Sequence, residues 1–139
     1  WQCSGQTGNT VPSIVVDKQT AYAMSGFRGA YVAAIKLGET GDLTGSKSVI
    51  WSADSGTPYV PSPLLSNDRI WYLSGNNGIL SVRDTKSGKS LVEGERLTGI
   101  SGVYASQPLK SENSGLFANT MPTKNRIVSE TSLFFIEKF

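Results

Sequence analysis

Short apolar runs separated by polar, glycine-bearing turns recur along the whole chain, and their internal spacing is that of strands. Residues Ser13 to Val16, Thr20 to Ser25, Ala30 to Leu37 and Ser48 to Ala53 are rich in Val, Ile, Tyr and Trp, as strands are. A second set follows at Pro63 to Leu65, Arg69 to Ser74, Ile79 to Asp84 and Ser90 to Glu93. The same tripeptide introduces each set: Val11-Pro12-Ser13 and Val60-Pro61-Ser62 stand about 49 residues apart. Proline suits the first position of a strand, where its missing N–H costs no ladder bond. Four short strands recurring with a period of 40 to 50 residues predict an all-β fold of β-propeller blades, each a four-stranded antiparallel sheet.

The turns carry their own signatures. Asp17-Lys18-Gln19 and Gly26-Phe27-Arg28-Gly29 are the connecting turns of the first set, and in the second Asn67-Asp68 and Asn76-Asn77-Gly78 offer residues that tolerate positive φ, with Gly78 expected at a bulged position. Asp84 is placed to cap the Asp84–Lys89 turn and Gly88 to take the left-handed conformation. Between the third and fourth strands of the first set, Gly38 to Lys47 reads as a long irregular loop. Trp1 stands before Pro12 much as Trp51 stands before Pro61, so residues 1–11 are expected to end a preceding blade. Residues 12–58 and 59–102 then form two clear blades. From Val103-Tyr104-Ala105-Ser106 the pattern weakens: Leu116-Phe117-Ala118, Arg126 to Ser129 and Ser132 to Ile136 match later strands, but the glycine turns are missing. Residues 103–139 are therefore either a degenerate third blade or an aberrant end.

Composition narrows the chemistry. Thirteen basic and eleven acidic residues leave a net charge of +2 with no basic run, which argues against nucleic-acid binding. No apolar stretch reaches the length of a membrane-spanning helix. The chain has no histidine and one cysteine, Cys3, expected as a small buried side chain in an edge strand. Ser-His and Cys-His nucleophiles, an internal disulfide and Cys-rich metal sites are thereby excluded. Ser87-Gly88-Lys89-Ser90 has the ending of a phosphate-binding loop, but Arg83 occupies the position of its first glycine and no helix is signalled after it, so a hairpin turn is expected. Asp42, Asp54, Asp68 and Asp84 lack the spacing of a calcium loop. Neither catalytic residues, nor a metal set, nor a cofactor site can be assigned.

The segments Pro61-Ser62-Pro63, Arg69-Ile70-Trp71-Tyr72-Leu73, Gly78-Ile79-Leu80-Ser81-Val82-Arg83-Asp84 and Asp84-Thr85-Lys86-Ser87-Gly88-Lys89 together resemble the pyrroloquinoline-quinone-like (PQQ-like) β-propeller repeat family. That family includes outer-membrane assembly lipoproteins of the BamB type and quinoprotein dehydrogenases. The likeness covers roughly residues 1 to 106. The chain departs from it where Ser87 replaces the usual Thr, where the second unit lacks its blade tryptophan, and throughout the third unit. The resemblance implies a periplasmic or extracellular bacterial protein serving as a non-catalytic scaffold or interaction module. A piece of a quinoprotein dehydrogenase is the alternative, although Cys3 lacks the adjacent cysteine whose ring stacks on the quinone in those enzymes. A glycan- or peptide-binding propeller surface is a further alternative.

A propeller closes with four to eight blades, roughly 180 to 360 residues at about 45 each. This chain therefore needs the remaining blades of a parent propeller, or a second copy of itself, and an open arc is expected to expose the flat face of each end blade. Four side chains are expected near a rim where a protein or glycan partner would bind: Phe27 and Arg28 on a turn, and Tyr59 and Tyr104 just before first strands, beside the central channel.

Overall fold

The computed structural model describes residues 1–100 and 102–104. Within them the chain forms eight strands and no helix: β1 (Val15–Asp17), β2 (Thr20–Ser25), β3 (Tyr31–Lys36), β4 (Val49–Ala53), β5 (Leu64–Ser66), β6 (Arg69–Leu73), β7 (Ile79–Asp84) and β8 (Ser90–Arg96). They make two four-stranded antiparallel meanders, sheet 1 (β1-β2-β3-β4) and sheet 2 (β5-β6-β7-β8). The strands expected beyond Ala105 lie outside the described residues.

Alternation along the central strands places two apolar faces back to back on each sheet. In sheet 1, Tyr22 pairs with Ala34 and Met24 with Val32, and these side chains face sheet 2. Ile70 and Tyr72 meet them from sheet 2, and Trp51, Ala53, Val15 and Leu65 close the margins of this inter-sheet core. On the far face of sheet 2, Leu73, Leu80 and Val82 pack with Ile100 and Val103. On the front face of sheet 1, Ala33 and Ile35 pack with Leu43, Cys3, Tyr31 and Val49.

Two sequence landmarks join the sheets directly. The Ser13 N–H donates to Ser62 Oγ at 2.8 Å, so the two Val-Pro-Ser tripeptides touch one another. The indole of Trp51 in β4 crosses to the β7–β8 turn, where its Nε1 donates to the Thr85 carbonyl at 2.9 Å. Its ring lies flat on Gly88, where a Cβ would come 2.5 Å from Trp51 Cδ2, so this turn position admits glycine alone. Tyr22 Oη donates to the same carbonyl at 3.3 Å. Asp84 caps the turn as expected, accepting from the Ser87 N–H at 2.7 Å, and Gly88 has φ +70°.

A buried cation also lies at this junction. Arg83 is 9% exposed on the face of sheet 2 that meets sheet 1. Its guanidinium donates to Tyr72 Oη at 2.7 Å, to the Gly88 carbonyl at 3.0 Å and to Ser55 Oγ at 3.1 Å. Ser55 Oγ in turn donates to Glu93 at 3.4 Å. Burial raises the Tyr72 phenol above its ordinary pKa, and the hydrogen bond from Arg83 opposes that rise.

Several expectations need correction. The flat front face of sheet 1 is not open across its width. The Gly38–Lys47 loop turns back over it, burying Leu43 and pairing with the N-terminal segment through the Gln2–Asp42 bridge. Three exposed apolar side chains cluster on the first strand and its approach, where Val11, Ile14 and Val16 are 45%, 59% and 55% exposed; Trp1, Ile50, Leu91 and Tyr104 are exposed elsewhere. Cys3 belongs to no strand and is half-buried against that same loop core. In the β6–β7 turn the positive φ belongs to Gly75, whereas Gly78 is required by Ile100, whose Cβ would lie 2.7 Å from an added one. Strand β8 runs past Glu93 because Gly94, at φ +71°, sits in an irregular stretch and donates to Ser81 Oγ at 3.4 Å.

Candidate functional site

The β2–β3 turn and the segment entering sheet 2 meet at one rim of the molecule. Thr57 Oγ1 donates to the Ser25 carbonyl at 2.6 Å, and the Gly75 N–H donates to the Thr57 carbonyl at 3.0 Å. The Tyr59 N–H then donates back to the Gly75 carbonyl at 3.1 Å, which fixes the segment between the two sheets. A Cβ on Gly26 would stand 2.5 Å from the Pro58 carbonyl oxygen, so the Ser-Gly ending of β2 is a requirement for this close crossing. The crossing brings Tyr59 to residue 27.

Three of the four expected contact residues assemble there. Phe27 and Tyr59 stack with ring centroids 4.9 Å apart and planes at 27°. The Arg28 guanidinium carbon lies 5.3 Å from the centroid of Phe27. Asn9 Nδ2 donates to Tyr59 Oη at 2.9 Å and steadies the outer end of the stack. Phe27 and Tyr59 are half-buried, and Arg28 and Asn9 are exposed. Tyr104 is 72% exposed, and no hydrogen bond or ring contact joins it to this group among the described residues. Asn9, which supplies the outer hydrogen bond, was not foreseen: an Asn among Gly8 and Thr10 reads only as a loop residue.

Arg28 adopts φ +54°, a left-handed backbone unusual for a residue with a Cβ, which costs the turn some conformational energy. The β2–β3 turn, residues 26–30, carries Arg28 as its one charged side chain, the β4–β5 connection, residues 54–63, carries Asp54 at its start, and the β6–β7 turn, residues 74–78, carries none. The opposite rim differs. An open groove of about 290 Å³ between the sheets is lined there by Asp17, Lys18, Asp68 and Lys86, and the last two form an ion pair at 3.0 Å. Acids and bases balance in that groove, and nothing in it singles out a ligand charge. No group of three or more His, Cys, Asp or Glu side chains gathers as a metal set among the described residues.

The chain matches no protein-family model, no curated protein and no solved structure. No helix among the described residues is long and apolar enough to cross a membrane.

Proposed function

We propose that the chain is a stretch of non-catalytic β-propeller of the PQQ-like repeat type, a scaffold in a periplasmic or secreted bacterial protein whose rim loops contact a partner. One observation carries this reading: equivalent positions of the two sheets are treated differently according to whether a sheet stands in front of them. In the second repeat Leu65 packs on the inter-sheet core, Pro63 is buried and Val60 is half-buried, whereas Val11, Ile14 and Val16 are exposed. The far side supports the same direction of stacking. Trp71, at the repeat position of Tyr22, has a buried indole N–H with no partner among the described residues, where Tyr22 and Trp51 use a carbonyl of the next sheet. Such stacking continues through further sheets, supplied by the same polypeptide or by other copies. The periplasmic or extracellular setting is supported by the family likeness alone.

Size-exclusion chromatography with light scattering tests the stacking. The chain is expected to associate as concentration rises, and Val16→Lys with Ile14→Lys to suppress that association. A monomer at every concentration argues against an exposed stacking strand. Stoichiometric retention of quinone in the presence of calcium would replace the scaffold reading with the dehydrogenase one.

A further inference from the structure

We infer that the Arg28–Phe27–Tyr59 stack is a docking point for a carboxylate side chain of an extended acidic peptide segment; this rests on the reading of the rim as a partner surface.

The guanidinium is available in a way most surface arginines are not. Its guanidinium carbon lies 5.3 Å from the centroid of the Phe27 ring, and the residue is exposed to solvent. Arg28 makes no hydrogen bond or ion pair with any described residue, and no acidic side chain lies within salt-bridge distance of it among them. A planar fork with its donors unspent matches a carboxylate in bidentate geometry.

Preorganisation is the second part. Tyr59 is tied by its backbone to Gly75 and by its hydroxyl to Asn9, Phe27 lies on Tyr59, and Arg28 lies on Phe27 from a left-handed turn. The aromatic pair is thus held before binding, so less side-chain freedom of Tyr59 and Phe27 is lost when a partner docks. Arg and aromatic residues together are also the composition of interface hot spots.

The third part decides the class of ligand. One ion pair in open solvent contributes little, so a small free carboxylate gains too little here. An extended segment that lays apolar side chains along the Phe27–Tyr59 pair while presenting a carboxylate to Arg28 gains both terms. Asp54 stands at the start of the β4–β5 connection but forms no ion pair with Arg28, so the guanidinium charge is open to an incoming carboxylate.

Fluorescence anisotropy on the whole chain tests this, using a fluorescein-labelled peptide of alternating Glu and Leu and a matched probe with Gln in place of Glu. The Glu probe is expected to bind, with an affinity that falls as salt rises. Arg28→Gln is expected to weaken it by about tenfold or more, to the level of the Gln probe, with Arg28→Lys between. Equal binding by the parent chain and Arg28→Gln, equal binding of the two probes, or no binding of the Glu probe each overturns the inference. Stronger binding of oligogalacturonate than of the Glu probe overturns the peptide class in favour of an acidic glycan. If Glu-probe binding survives Arg28→Gln but is lost in Tyr59→Ala, the carboxylate assignment fails while the rim surface stands. If it survives both, the rim surface itself is wrong.

Discussion

The two sheets begin with the same tripeptide and end up in different surroundings. Ser62 accepts a hydrogen bond from the backbone of Ser13, and Leu65 packs into the inter-sheet core. Their counterparts in sheet 1, Ser13 and Val16, are both exposed, and no hydrogen bond reaches the Ser13 hydroxyl from the described residues. Residue type does not explain this, because the serine is identical and valine is no less apolar than many core residues. What differs is the sheet in front. On the proposed reading each first strand lies against a predecessor, and only sheet 2 has one among the described residues.

Trp51 and Trp1, each standing before one copy of the tripeptide, should differ most. Trp51→Ala removes a ring lying on Gly88 and a hydrogen bond to Thr85, and is expected to cost about 3 kcal/mol, read as a lowered midpoint in urea unfolding. Trp1→Ala, at an exposed site, is expected to fall within about 0.5 kcal/mol of the parent. Equal losses would mean that the two tryptophans do not mark equivalent positions with different neighbours.

Arg83 sharpens the comparison from the polar side. Its counterpart in β3 is Ile35, which packs on Leu43 and Val49 where no preceding sheet is present among the described residues. Arg83→Ala strands Tyr72 Oη and the Gly88 carbonyl at the junction and is expected to cost about 2 kcal/mol in the same unfolding measurement. The loss should be accompanied by faster hydrogen exchange in the β7–β8 turn, because the guanidinium ties that turn to the sheet.

The serine pair tests the contact of the repeats with each other. Ser62→Ala is expected to destabilise by about 1 kcal/mol, since the Ser13 N–H loses its acceptor, and Ser13→Ala by close to nothing. Thermal unfolding of both variants side by side decides whether the tripeptide acts across the junction or only within its own strand.

Much of the fold was legible because it rests on local signals. Strands β2 and β7 begin and end where alternation and turn residues place them, and Asp84 and Gly88 fill their turn positions as their types require. What could not be read were contacts between residues far apart in the chain. Leu43 is a lone apolar residue in a polar loop, and its burial depends on the N-terminal segment that pairs with Asp42. Arg83 has the look of an exposed strand charge, and it is buried because Ser55, Tyr72 and Gly88 surround it. The site shows the same limit. Phe27, Arg28 and Tyr59 were each recognisable as rim residues, but their stacking follows from the crossing of one repeat's entry segment over the other's turn.

The smallest expected effect concerns the loop that partly closes sheet 1. Hydrogen bonds from Thr44, side chain and backbone, and from Gln2 hold the Asp42 carboxyl down at about 2, below its ordinary value of 3.8. A depressed folded-state pKa means that this loop contact contributes fully above about pH 4 and is lost as pH falls through about 2. Carboxyl NMR titration should give that low midpoint for Asp42, and Thr44→Val should raise it. An ordinary midpoint would detach the loop from the N-terminal segment.

Hydrogen exchange of the first strand tests the central claim most directly. In a chain extended by one repeat, residues 1–58 followed by residues 10–139, the amides of the second copy of Ser13 to Asp17 gain a sheet in front of them. They are expected to become as protected as those of Leu64–Ser66, and the gain should be lost when Ser13 of that second copy is replaced by Ala and Val16 of that copy by Lys. Exchange as fast as in the parent chain would contradict the claim that each first strand is built to receive a preceding sheet.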